Sequence, residues 1–450
     1  MLLLLPPSAL GDPRSTSAPR VRTLHSILSI AGTEPCERPD PATRYRGVVI
    51  DAVPGSWTRA ARGAMLLNEE GALRPTIFAE MSALAASTGA INLGQGFPDY
   101  DGPPEVLEAA RQAISDGVNQ YPPGLGTPAL RQAIAEHQQR FYGIPVDRDR
   151  EVLVTAGATE AIAATLLALL DEGDEVVTLE PFYDSYGAMI ALARAKHVTV
   201  PLRAPDFHPD LDELRAAVTD RTRVILLNSP HNPTGAVLDR QTLELIVELA
   251  HQHDAIIVTD EVYEHLVFDP AAPHVTIATL PGAAERTVTI SSGGKTFSTT
   301  GWKIGWLIAP PAIRDAIVSV KQFLTFVNGA PFQPATVVGL GLPDSYFQDA
   351  AAALERRCGL LSAGLRSAGF EVSRPAGGYF VVADATPLGH PDAVELCRLL
   401  PGLVGVVAIP LTAFVRPEHH GEYRSLVRFA FCKQDALLER AAAQLAGLQK

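Results

Sequence analysis

Two lysines carry the first chemical signal of this chain. A run of β-forming residues, 287–290, ends in Ser291, Ser292, Gly293 and Gly294, and Lys295 follows at once. The glycines allow a sharp turn, which stands Lys295 at a strand end, where open α/β sheets bind ligands. Lys303 lies between Trp302 and Ile304, a cation in an apolar run. One lysine could form a Schiff base while the other, with Ser292, holds a phosphate. The same letters also fit a glycine-rich turn with two solvated lysines, and the rest of the chain has to separate these readings.

Other residues supply what such chemistry would need. A carboxylate beside a pyridine nitrogen keeps it protonated, and Asp260, at the end of an apolar run, suits that role; it could equally cap a helix. Tyr263 and Asn232 could donate to a phenolate oxygen, or be a core tyrosine and a turn asparagine in Asn232-Pro-Thr-Gly235. Tyr183 offers an aromatic face for a ring or for the core. Ala158 and Thr159 open a helix, where free N–H groups attract an anion, or mark only a plain tight turn. Arg428 sits between Val427 and Phe429 on an alternating strand, where a charge is costly unless paired. Its partner would be a substrate carboxylate, gripped in the bidentate geometry arginine favours, or a structural Asp or Glu. Thr159, Asn232, Asp260 with Tyr263, and Lys295 follow four strands of one expected sheet. Together they suit a phosphorylated pyridine aldehyde.

The elements that must position these residues follow from periodicity. Apolar runs at 151–155, 175–179, 197–201, 224–228, 255–258 and 287–290 read as strands. Helical patterns over 160–170 and 243–251, with a polar helix around 210–218, alternate with them. That alternation calls for a mainly parallel, doubly wound α/β sheet. Ahead of it come helices near 77–84, 106–114 and 130–141 and a short strand at 91–93. A long helix over 347–368 leads to alternating strands at 378–383 and 426–431, a smaller α+β unit. The expected division is a small domain from 71–104 plus 345–450 and a large domain from 105–344. Residues 1–70 are rich in Pro, Arg, Ser and Thr without sustained period and read as a disordered extension, with Met65 as an alternative beginning.

Composition narrows the class. A net charge of −13 argues against nucleic acid or anionic membrane as the main partner. Cys36, Cys358, Cys397 and Cys432 form no CxxC pair, which suits a reducing cytoplasm. The run Leu2–Leu5 stops at Pro6-Pro7 and is too short for a signal peptide or a membrane span.

With these residues in hand, the chain resembles the fold-type I, class I aminotransferases that use pyridoxal 5′-phosphate. Asn232-Pro-Thr-Gly235, Asp260-Glu-Val-Tyr263, Ser292-Gly-Gly-Lys295 and Arg428 fall in that family's order. The resemblance implies a large seven-stranded sheet domain with a smaller domain built from the N- and C-terminal parts. It also implies that Lys295 binds the cofactor aldehyde and moves a proton between Cα and C4′. Asp260 would pair with the pyridine nitrogen, Tyr263 and Asn232 would meet the phenolate oxygen, and Tyr183 would stack. Ala158, Thr159, Ser292 and Lys303 would hold the phosphate, while Arg428 and the backbone at Gly96 would receive the substrate carboxylate. Tyr121 is similar to the residue that reaches the neighbouring subunit's phosphate, which implies a homodimer with shared sites. Lysine rather than arginine at 303 is similar to the kynurenine/glutamine transaminase branch.

Within that branch, Met81-Ser-Ala-Leu-Ala, Asn92-Leu-Gly-Gln-Gly-Phe-Pro-Asp and Glu180-Pro-Phe-Tyr-Asp-Ser-Tyr are similar to actinobacterial N-succinyldiaminopimelate aminotransferases of lysine synthesis, which exchange an amino group with glutamate and 2-oxoglutarate. The kynurenine enzymes place a tryptophan where this chain has Pro75-Thr-Ile-Phe78, which speaks against an aromatic-substrate pocket. Kynurenine, glutamine or methionine transamination and cysteine-conjugate β-lysis are the alternatives. A regulator built on the same fold would need a DNA-binding unit ahead of residue 70, where no helical pattern appears.

Overall fold

The computed structural model describes residues 55–269 and 273–449. Its strands are β1 (Ile91–Asn92), β2 (Val152–Ala156), β3 (Glu175–Glu180), β4 (Lys196–Pro201), β5 (Thr222–Asn228), β6 (Ile256–Asp260), β7 (Thr287–Ser292), β8 (Ile304–Ile308), β9 (Glu371–Val372), β10 (Phe380–Asp384), β11 (Val406–Val407), β12 (Ile409–Pro410) and β13 (Leu426–Ala430). Seven of them form one sheet in the order β2-β8-β7-β6-β5-β3-β4. All its pairings are parallel except those of β8, which runs antiparallel to both β2 and β7. Parallel strands are covered on both faces, so both faces must be apolar; Val224–Leu227 and Ile256–Val258 are buried throughout.

Helices α1 (Trp57–Gly63), α2 (Ile77–Thr88), α3 (Pro104–Ser115) and α4 (Pro128–Tyr142) come first in the chain. The sheet is then laced by α5 (Gly157–Leu169), α6 (Asp184–Leu192), α7 (Leu211–Ala217), α8 (Arg240–Gln252) and the single turn α9 (Gly293–Thr296). After it come α10 (Pro311–Lys321), α11 (Phe332–Leu340), α12 (Asp344–Ser367), α13 (Ala393–Val404) and α14 (Asp435–Leu445). The doubly wound, mainly parallel sheet expected from the alternation is the observed one. A second, antiparallel sheet has the order β12-β13-β10-β9, and β1 pairs with β11. Arg428 lies in the middle of β13, opposite Val382 and Ile409.

Register places the chemistry. Asn228 is paired with Asp260, and Asp260 with Ile290, so the carboxyl ends of β5, β6 and β7 finish together. Ser292 lies opposite Gly305, and Ala156 opposite Ile304, which brings the start of β8 to the same edge.

Two expectations need correction. Helix α5 begins at Gly157 rather than at residue 160, because Gly157 takes φ +73° to turn out of β2. Glu160 then reaches back to accept from the amide of Ala156 at 2.6 Å. The expected disordered extension also ends too late: residues 55–70 are ordered, and α1 precedes Met65. This helix lies on α6, where a Cβ on Gly63 would stand 2.2 Å from the carbonyl oxygen of Gly187. Two glycines therefore let the backbones touch. Residues 1–54, where the rest of that expectation falls, lie outside the described residues.

Candidate active site

At the carboxyl edge of the large sheet lies a cavity of about 230 Å³. The β2–α5 junction contributes Gly157, Ala158 and Thr159; the ends of β5 and β6 contribute Asn228, Asn232, Asp260 and Tyr263. Ser292 and Lys295 come from β7 and α9, Lys303 from the start of β8, and Tyr183 and Tyr186 from the β3–α6 junction. Nine of the sequence-derived candidates thus meet in one place: Ala158, Thr159, Tyr183, Asn232, Asp260, Tyr263, Ser292, Lys295 and Lys303.

Asp260 is 5% exposed and ends β6, so it is a strand terminus and not a helix cap. Its Oδ2 accepts from the Tyr186 hydroxyl at 2.7 Å and its Oδ1 from the Val262 amide at 3.3 Å. Burial pushes its carboxyl up to about 6, while the Tyr186 bond pulls the other way. Beside it, Asn228 donates to the Asp260 carbonyl at 2.8 Å and accepts from the Asn232 amide at 2.7 Å. That side chain fixes the strand ends and the loop bearing Asn232.

Lys295 donates to the Gly96 carbonyl at 3.3 Å and lies between the rings of Tyr263 and Tyr379, at 5.7 and 5.6 Å from their centroids. Burial lowers its ammonium pKa; Lys303 and Arg428 add to the effect, and Cys432 and Asp260 oppose it. An amine held this way releases its proton more readily than one in water, as a nucleophile must. Burial also drives the Tyr263 phenol far up, so it stays a donor. Lys303, itself at φ +55°, donates to Thr159 Oγ1 at 3.3 Å. A Cβ on Gly157 would lie 3.1 Å from the Lys303 amine, so only glycine leaves that corner open.

Arg428 lies outside the cavity lining but touches it, donating to Asn232 Oδ1 at 3.1 Å and to the Gly94 carbonyl at 2.7 Å. The rings of Phe380 and Phe414 flank its guanidinium at 3.9 and 4.5 Å. Its Nε is buried without a partner, and among the described residues no carboxylate lies within ion-pair distance. The structural ion pair weighed from the sequence is therefore absent. Asp184 acts on Arg428 only at longer range, and a buried cation with no carboxylate in direct contact can receive an anion. Gly96 offers its carbonyl to Lys295. Tyr121 is 82% exposed and lies apart from the cavity, against Phe326.

The donor set passes a direct test for a phosphorylated pyridine aldehyde. An amine of lowered pKa, a buried acid, the two donors Tyr263 and Asn232, and a helix N-terminus bonded to Lys303 line one cavity. Sequence reasoning missed Tyr186 and Asn228. Tyr186 follows Tyr183 by one helical turn, a spacing that puts both on one face, and Asn228 is the last residue of an apolar strand.

Comparison with known proteins gives the family. The profile of aminotransferase class I and II matches residues 88–445. The chain belongs to that family. This aminotransferase is 51% identical over 388 residues to the probable N-succinyldiaminopimelate aminotransferase DapC of Mycobacterium tuberculosis, covering 84% of this chain and 97% of that one. It is 38% identical to the methionine aminotransferase of Escherichia coli over 83% of this chain and 96% of the other. The solved structure of N-succinyldiaminopimelate aminotransferase from M. tuberculosis superposes with a TM-score of 0.81, covering 83% of this chain and 97% of that one.

Proposed function

We propose that this aminotransferase binds pyridoxal 5′-phosphate in the cavity and moves the amino group between N-succinyl-LL-2,6-diaminopimelate and the glutamate/2-oxoglutarate pair. The observation that carries the reading is Lys295 and Asp260 set about one cavity, in a chain 51% identical to DapC. Bound there, the cofactor supplies an electron sink that makes the substrate Cα–H acidic.

The chain's own residues do the rest. Lys295 holds the cofactor aldehyde and then takes and returns the proton at substrate Cα. Asp260, steadied by Tyr186, keeps the pyridine nitrogen protonated. Tyr263 and Asn232 donate to the phenolate oxygen, and Tyr183 covers the ring. Ala158, Thr159, Ser292 and Lys303 hold the phosphate at the N-terminus of α5. Arg428 and the backbone at Gly96 take the substrate α-carboxylate.

The exposed ring of Tyr121 belongs with the exposed Phe323 and Phe326 to a surface that a second copy covers, so that Tyr121 reaches the neighbouring subunit's phosphate in a homodimer. Residues 71–104 with 345–450 act as the small domain against 105–344. No helix among the described residues is long and apolar enough to cross a membrane, and the acidic chain works in the cytoplasm on small amino and oxo acids, without nucleic acid.

A panel of amino donors with 2-oxoglutarate tests this reading. N-succinyl-LL-2,6-diaminopimelate should give the highest kcat/KM, above methionine, kynurenine and glutamine, and Lys295→Ala should abolish turnover. A flat panel or a preference for kynurenine or methionine overturns the substrate; an active Lys295→Ala protein overturns the mechanism.

A further inference from the structure

A second cleft, of about 870 Å³, lies against α1, α6 and β4, away from the cavity of Lys295. Its size is that of small-molecule sites. Six basic residues line it, Arg59, Arg62, Arg74, Arg194, Lys196 and Arg416, against two carboxylates, Glu172 and Glu418. In a chain of net charge −13 this is a local reversal of sign.

The carboxylates are already engaged. Glu172 pairs with Arg194 at 2.6 Å, Glu418 with Arg416 at 2.7 Å, and Lys196 is answered by Glu175 at 3.1 Å. Arg59, Arg62 and Arg74 remain without an ion pair among the described residues. Arg59 donates one Nη to Ser56 at 2.7 Å, while its Nε is buried with no partner. Arg74 donates to the Leu67 carbonyl at 3.1 Å, and the Arg62 side chain has no hydrogen bond among the described residues.

We propose that this cleft binds a compact polyanion, an oligophosphate or a tricarboxylate, through Arg59, Arg62 and Arg74. Guanidinium groups favour such anions because their forked donors match two oxygens at once. Arg59 and Arg62 sit on α1, where Gly63 packs directly on the backbone of α6 at Gly187. Arg59, Arg62 and Arg74 precede residues 88–445, while the facing wall of α6, β4 and Arg416 lies within them.

Isothermal titration of the purified holoenzyme, its cofactor in place, with inorganic pyrophosphate in one arm and citrate in the other tests this. At least one should bind, with affinity falling as salt rises. Arg59→Ala/Arg62→Ala should weaken that binding about tenfold or more, a loss of roughly 1.4 kcal/mol, with far-UV circular dichroism and transaminase turnover unchanged. Arg215→Ala/Arg240→Ala, which removes two exposed arginines elsewhere, should leave it alone. Binding of pyrophosphate alone identifies an oligophosphate site, and of citrate alone a tricarboxylate site. Binding of neither, an equal loss in both double variants, or no loss in the first overturns the proposal.

Discussion

The hydroxyl of Tyr186 donates to Asp260 Oδ2 at 2.7 Å, and both residues are buried. Tyr186 belongs to α6, which follows β3, whereas Asp260 ends β6, and β5 lies between those strands in the sheet. The protonation of the acid in the cavity therefore depends on a helix from another strand–helix unit. Burial raises the Asp260 carboxyl to about 6, and the phenol favours its charged form.

Tyr186→Phe should raise that pKa further, since it removes a donor to the carboxylate and leaves the ring in place. A buried hydrogen bond to a charged group is worth about 1.5–3 kcal/mol, so the acid limb of kcat/KM should move to higher pH by roughly one unit or more. Activity at pH 6 should fall more than at pH 8.5. Superimposable pH–rate profiles for the two proteins would show that Tyr186 does not tune the acid.

What the sequence made legible divides along physical lines. Strands buried on both faces are continuous apolar runs, and each ends where a Gly, Asn, Asp or Pro interrupts it. Lys295, Asp260 and Asn232 are therefore readable from the sequence as residues of one edge. Helix α1 was not readable, because only Ala61 of its residues is buried and no apolar stripe marks it. What holds it is the contact of Gly63 with Gly187, residues far apart in sequence. Tyr186 was visible as a residue but not as a role, for a tyrosine in a first helical turn serves a core equally well. The lack of a directly paired carboxylate for Arg428 is likewise a fact of packing, and an alternating strand with one arginine looks the same either way.

Arg428→Lys should act on substrate binding more than on the cofactor. Lysine cannot span from Asn232 Oδ1 to the Gly94 carbonyl and still offer a forked face to a carboxylate. A loss of about 2–3 kcal/mol corresponds to a KM some 30- to 150-fold higher for donor and acceptor alike. Cofactor content should stay near stoichiometric. Steady-state kinetics giving an unchanged KM for both substrates would remove Arg428 from the carboxylate site.

Gly157→Ala should loosen the phosphate corner. The residue stands at φ +73°, where a Cβ costs roughly 1–2 kcal/mol, and that Cβ would meet the Lys303 amine at 3.1 Å. The dissociation constant for pyridoxal phosphate, titrated on apoenzyme, should rise about tenfold, with melting of the apoenzyme lowered by a few degrees. Equal cofactor affinity in the two proteins would place the phosphate elsewhere.

Glu264 sets a pH dependence of stability from behind the site. Its Oε1 accepts from Ser291 on β7 at 2.5 Å and its Oε2 from Tyr142 at the end of α4 at 2.6 Å. Burial raises its carboxyl to about 7, against the two hydrogen bonds. A carboxyl whose folded pKa lies above its unfolded value binds its proton more tightly in the native state. Its contribution is whole below about pH 4 and declines as pH climbs through 7. Glu264→Gln lacks that titration and keeps a carbonyl to accept. The stability of Glu264→Gln relative to the parent should therefore rise from pH 5 to pH 8, by on the order of 2 kcal/mol. Urea denaturation of the apoenzyme at both pH values measures the difference, and a difference that stays constant or shrinks would mean that Glu264 is already ionised in the fold.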